Sequence, residues 1–178
     1  MRAEMSIRLE KNIESPWTEL NPIRVGKISP GNGTPDLFVL VEVPGRPSLR
    51  IDVYGDTSEE TFAFQDAVLW HKWIAIGFGH KLHLISFEDS TFITIKLDSY
   101  FGHLYPNAEF LLAATAKHLH CLNIDGSVRW SSPEIGIDGV YVNHIETETI
   151  HGEGEWNSPG GWKPFKIRTR TGEAVSGI

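Results

Sequence analysis

The chain has 178 residues, 40% hydrophobic and 22% charged, which excludes a disordered polymer and allows a buried core of ordinary size. Its formal net charge of −7 argues against wholesale binding to nucleic acid or to an anionic membrane surface, and is compatible with a basic protein partner. A single cysteine, Cys121, excludes an intrachain disulfide framework.

Met1–Met5 leads into polar sequence without an apolar h-region, so no secretory signal is read and a cytoplasmic location is expected. No run approaches the apolar length of a transmembrane helix. Glu4–Asn12 is the one weak helical candidate; the residues before about Pro30 otherwise read as an extra strand and a loop. Asn32-Gly33-Thr34 matches a glycosylation sequon but reads as a turn. A weak unit over 30–65 follows. In it Asp36–Val43 and Ser48–Tyr54 are strand-like, joined by Pro44-Gly45-Arg46-Pro47, and Thr61–Phe64 is the last strand.

The middle of the chain repeats itself. Trp73–Gly102 can be laid on Phe110–Gly139 without a gap, at an offset of 37 residues. Leu82-His83-Leu84-Ile85 falls on Leu119-His120-Cys121-Leu122, and Gly102 falls on Gly139. Each copy reads as four short strands. In the unit 66–103 they are Ala67–Trp70, Trp73–Phe78, Lys81–Phe87 and Thr91–Leu97. In the unit 104–139 they are Leu104–Tyr105, Phe110–Thr115, His118–Ile124 and Ser127–Trp130. The runs are aromatic or β-branched, and the breaks between them carry turn residues or charge. Asp125-Gly126 is the strongest hairpin signal, because both turn positions need a positive φ.

A divergent unit covers 140–174. Val140-Tyr141-Val142 and Glu148–Gly152 open it, a Gly/Trp/Pro loop spans Glu153–Gly161, and Trp162–Arg170 with Thr171-Gly172-Glu173 close it. Four strands in about 40 residues, repeated, predict an all-β fold: a propeller-like array of about four four-stranded antiparallel units, closed or open, in a single domain over 1–178. An open array leaves sheet edges that allow self-association; the alternation Lys166, Arg168, Arg170 is a device for blunting one.

The run Leu119–Trp130, an apolar strand, an Asp-Gly turn and a strand ending in Trp, resembles the blade repeat of quinoprotein-type and WD-like β-propellers. Thr171-Gly172-Glu173 is similar, without the Trp. The resemblance implies blade-like units. None of that family's cofactor-binding residues can be placed in this chain, so no quinone and no other cofactor is implied.

Motifs of catalysis are missing. There is no Gly-x-Ser-x-Gly elbow, no phosphate-binding Gly-rich loop, no His-Glu-x-x-His and no Cys-x-x-Cys. Cys121, in mid-strand between apolar neighbours, reads as a small core hydrophobe rather than a nucleophile. His118 and His120, two apart on a strand, point to one face and can share a ligand, with His103 or Asp138 as a third. Against a metal stands the repeat equivalence of His83 and His120, which marks blade-packing positions, so no metal is assigned.

The geometry of a blade places the loops joining its second and third strands beside those leading to the next blade. That side gathers His80, Tyr100, His103, His118, Asp138, Trp156 and Trp162, aromatics beside ionisable groups as in recognition surfaces. The two Trp read equally well as a surface or as a plug over the blade edge. The expectation is a non-catalytic, protein-binding module whose partner is a subunit of a complex or a toxin that it neutralises. The alternative is a carbohydrate or other small-ligand binder, or a metal-dependent enzyme, using the same His/Trp-bearing side.

Overall fold

The computed structural model describes residues 5–28, 33–55, 64–89 and 91–175. The fold is all-β, as the repeat predicts: four sheets of three or four strands, mostly antiparallel, with one short 3₁₀ turn at Trp17–Glu19 among the described residues. The chain divides into two compact units, Met1–Thr61 with Ala67–Leu69, and Phe62–Asp66 with Trp70–Ile178.

The first unit contains β1 (Ser6–Glu10), β2 (Ile23–Gly26), β3 (Leu37–Val43) and β4 (Arg46–Tyr54), in the sheet order β1-β3-β4-β2. Within the helical candidate Glu4–Asn12, Ser6–Glu10 is a strand instead. Ser6-Ile7-Arg8-Leu9-Glu10 alternates polar and apolar side chains, and it pairs antiparallel with β3 from Ser6 opposite Glu42 to Glu10 opposite Phe38. β2 pairs parallel with β4, so this sheet is not a simple meander. Trp17 is held beside Phe38 and Leu40 in a small core. The buried Asp52 is neutralised by Arg50 through two hydrogen bonds of 2.7 and 2.8 Å. Of the strand expected at Thr61–Phe64, only Phe64 lies within the described residues.

The repeat belongs to the second unit except for Ala67–Leu69 of its first strand, which cluster with the first. β5 (Gln65–Trp70), β6 (Trp73–Phe78), β7 (Lys81–Ser86) and β8 (Phe92–Lys96) form one sheet in chain order. β9 (Phe101–Pro106), β10 (Leu111–Thr115), β11 (Leu119–Leu122) and β12 (Val128–Ser131) form the next, again in chain order. β13 (Val140–Ile145), β14 (Thr149–Glu155) and β15 (Trp162–Arg168) form the third. After β15 the Thr171-Gly172 turn brings Ala174 back to a lone antiparallel bridge with Ile167.

Burial explains the order of strands within each sheet. Every residue of β6 and of β10 is buried, as expected of strands covered on both faces. β8 alternates exposed and half-buried residues, which suits an outer strand with one wet face. The core around Phe110, Leu112, Leu119, Cys121 and Trp130 continues into Val140, Val142, Ile150 and Ile167 of the third sheet. The divergent unit is therefore packed by the same hydrophobic layer as the clear one.

Two expected boundaries move. β9 starts at Phe101 rather than Leu104, so His103 lies in a strand and not in the preceding loop. β14 continues to Glu155 opposite Trp162, so the irregular part of the expected Glu153–Gly161 loop is only Trp156–Gly161. Gly152, which ends the expected strand, and Gly154, which reads as a loop residue in sequence, are both buried in β14, where neighbouring backbone and the Phe165 ring leave no room for a β-carbon.

Candidate functional site

The loops between β6 and β7, β8 and β9, β10 and β11, and β12 and β13 are tied to one another by backbone hydrogen bonds. Leu97 N–H donates to the His80 carbonyl at 2.9 Å and Phe101 N–H to the Gly79 carbonyl at 2.8 Å. Ala116 N–H donates to the Tyr100 carbonyl at 3.0 Å, and Ile135 N–H to the Lys117 carbonyl at 2.9 Å. His80 is thus placed beside the β8–β9 loop, half-buried in its turn.

His118 and His120 converge, and what they share is a carboxylate of this chain. His118 Nδ1 lies 2.6 Å from one oxygen of Asp98, and His120 Nε2 lies 2.7 Å from the other. Burial raises the Asp98 carboxyl, but hydrogen bonds from His118 and then His120 outweigh it and hold it down at about 2. Both imidazoles therefore face an ionised partner through an N–H. Neither His103 nor Asp138 joins them; those two stand in the aromatic group described below.

The other nitrogen of His120, Nδ1, lies 2.7 Å from Ser131 Oγ. Ser131, His120 and Asp98 so form a hydroxyl–imidazole–carboxylate chain, the connectivity of a nucleophile with its base. The repeat identifies its first link as architecture. His83 Nδ1 bonds Thr94 Oγ1 at 3.0 Å, and both His83 and Thr94 stand 37 residues before His120 and Ser131. His83 is 1% exposed, stacked on Phe92 at 6.0 Å, where it can perform no solution chemistry. The hydroxyl–imidazole pair is a device that joins the third strand of each sheet to the fourth.

His103 is the centre of an aromatic group. Its ring lies 5.2 Å from Phe64, 6.3 Å from Tyr105 and 5.5 Å from Tyr141. Phe64 also stacks on Tyr100 at 6.4 Å, and Tyr105 meets Tyr141 edge-on at 6.1 Å. Phe64 is 41% and Tyr141 49% exposed, so the group presents two large rings to solvent. Two of its hydroxyls are engaged. The Tyr100 hydroxyl donates to Asp138, which accepts through its backbone carbonyl and through Oδ1. The Tyr105 hydroxyl accepts from Val142 N–H at 3.1 Å. Burial first, and the Asp138 charge second, push the Tyr100 hydroxyl up to about 12; burial does the same to Tyr105.

The two tryptophans part company. Trp162 is 44% exposed and rests on Gly139, where an added β-carbon would meet the ring at 3.0 Å. Trp156 is half-buried and forms one wall of a groove of about 510 Å³ with Glu134, Ile135, Lys163, Pro164 and Phe165. The turn between them is fixed by Trp156 N–H donating to the Gly161 carbonyl at 2.9 Å and by Gly160 N–H donating to Glu155 at 2.7 Å.

Of the residues singled out in sequence, Tyr100, His103 and Asp138 therefore share one group, with Trp162 next to it on Gly139. His118 belongs to the Asp98 bracket, and Trp156 to the groove. Sequence reasoning missed Asp98, Phe64, Tyr105 and Tyr141. Tyr105 and Tyr141 stand in the first strands of successive sheets, one position out of the 37-residue repeat register, and nothing local marks Asp98. No family model, no curated protein and no solved structure matches the chain.

Proposed function

We propose that the chain is a non-catalytic, protein-binding module on a propeller-like scaffold, with the aromatic group around His103 as its recognition surface. The observation that carries this reading is the pair of exposed rings, Phe64 and Tyr141, seated on the bonded, half-buried support of Tyr100, His103 and Tyr105. Rigid aromatics lose little entropy on docking and supply much of the energy of interfaces. Affinity capture from a cell extract tests it, with the native chain and a Phe64→Ala/Tyr141→Ala double variant as baits. A protein retained by the native bait and lost from the variant is expected; the same eluate from both baits overturns the assignment.

A second reading, a small ligand such as a sugar, is favoured by the Trp156 groove alone. Its volume lies in the range of small-molecule sites, and it combines aromatic walls with one acidic and one basic side chain. Quenching of Trp156 fluorescence across an oligosaccharide panel, abolished by Trp156→Phe, would support it. A panel without response would reject it.

A further inference from the structure

The hairpin of β13 and β14 brings together three side chains of ligand type that the aromatic group and the Asp98 bracket do not use. His144 and His151 are directly opposed across the two strands, and Glu146 opens the turn that joins them. The pairing register shifts between Val142 and His144, so Asn143 is the extra residue of a bulge. Without it His144, two positions after the buried Val142, would face the core. The bulge turns it outward, onto the same wet face as His151 and Glu146.

The spacing suits a cation. His144 Nε2 lies 3.5 Å from one oxygen of Glu146, and His151 Nε2 lies 3.3 Å from the other. One ligand atom from each residue falls within 4.8 Å of the other two. Zinc bonds of about 2.0–2.1 Å in a tetrahedron set their ligand atoms about 3.3–3.4 Å apart. The two imidazoles are stacked, with ring centroids 4.3 Å apart and planes 15° from one another, so one ring must rotate for both nitrogen lone pairs to meet on a single ion. Thr149 donates its hydroxyl to Glu146 at 2.8 Å, and the same hydroxyl lies 3.1 Å from His151 Nε2, so it holds the carboxylate and the imidazole beside one another. That hydrogen bond, ahead of the nearby His151, lowers the Glu146 carboxyl and keeps it anionic.

We infer that His144, Glu146 and His151 form a binding site for a zinc-type divalent cation. Imidazole nitrogens select a borderline first-row ion over calcium or magnesium, which take oxygen ligands. Three protein ligands leave the fourth position to water or to a donor from outside the chain. Lys166, opposite His151 on β15, is the cation that works against occupancy.

Isothermal titration of ZnCl₂ into untagged protein tests the site, with circular dichroism to show that each variant folds. One equivalent is expected to bind the native chain. His144→Ala and His151→Ala should each abolish it, Thr149→Ala should weaken it about 10- to 100-fold, and Lys166→Gln should tighten it. His118→Ala, at the Asp98 bracket, should leave it unchanged. Calcium in place of zinc should give no heat. Absence of saturable binding overturns the inference, as does binding that survives both histidine variants or that disappears with His118→Ala.

Discussion

The indole of Trp130 lies against Gly172 of the next sheet, so close that a β-carbon on the glycine would meet the ring at 2.4 Å. The ring N–H donates to the Thr169 carbonyl at 2.9 Å, and Gly172 holds a φ of +72°. One sheet earlier the same relationship recurs. The Asp125-Gly126 turn, with a φ of +89° at Gly126, packs on Ile93, which stands 37 residues before Trp130. In each case a glycine turn of one sheet caps the fourth strand of the sheet before it. Gly172→Ala should therefore destabilise the fold by about 1–3 kcal/mol, through overpacking and a strained backbone. Urea unfolding measures this; an unchanged midpoint would show that the contact carries no energy.

This relationship also shows how much the sequence disclosed. The gapless alignment of Trp73–Gly102 on Phe110–Gly139 sufficed for the sheets, since the strands are short apolar runs between turn residues. The role of His83 as a buried packing residue was equally legible. What escaped depends on tertiary context. The parallel pairing of β2 with β4 joins residues 28 apart, as Ile23 opposite Ile51, with no local signature. The Asn143 bulge reverses the facing of His144, which a period of two cannot anticipate. His103 was found, but placed in a loop, because the strand was started at Leu104 and in fact begins at Phe101.

Acid should weaken the fold through Asp98. Its carboxyl is held down from 3.8 to about 2 in the folded chain. A lowered folded value adds stability above the unfolded value, and that stability is lost as pH falls from near 4 towards 2. Solvent screening of this partly exposed group keeps the effect to about 1 kcal/mol. Unfolding midpoints at pH 6 and pH 3 should differ less for Asp98→Asn than for the native chain. An equal difference would remove Asp98 as the origin.

At alkaline pH the aromatic group should respond. Tyr100 and Tyr105 are pushed up to about 12, so their contribution is intact below the unfolded value of 10.0 and is lost as pH rises through it towards 12. Absorbance of tyrosinate at 295 nm should show Tyr100 and Tyr105 ionising above the ordinary tyrosine value. Tyr100→Phe should remove one of these late steps. Ionisation of all four tyrosines in one step near 10 would contradict the packing described.

The side chains that resemble nucleophiles should prove inert. Burial pushes the Cys121 thiol up to about 11, and the residue is 0% exposed. A disulfide reagent at pH 8 should modify it only after unfolding. Ser131, whose hydroxyl–imidazole pairing repeats at His83 and Thr94, should not take a fluorophosphonate label. Labelling of the native chain that vanishes in Ser131→Ala would make the Asp98–His120–Ser131 chain catalytic.

The central claim is that the face around His103 holds a protein partner. Its most direct test is the dissociation constant of the captured partner for the native chain and for the Phe64→Ala/Tyr141→Ala variant. Melting temperatures measured alongside establish that both are folded. Exposed rings at an interface centre are expected to cost about 2 kcal/mol or more on truncation, roughly thirtyfold in affinity, with the melting temperature nearly unchanged. Equal affinities for the two proteins would contradict the account and place the interface elsewhere on the molecule.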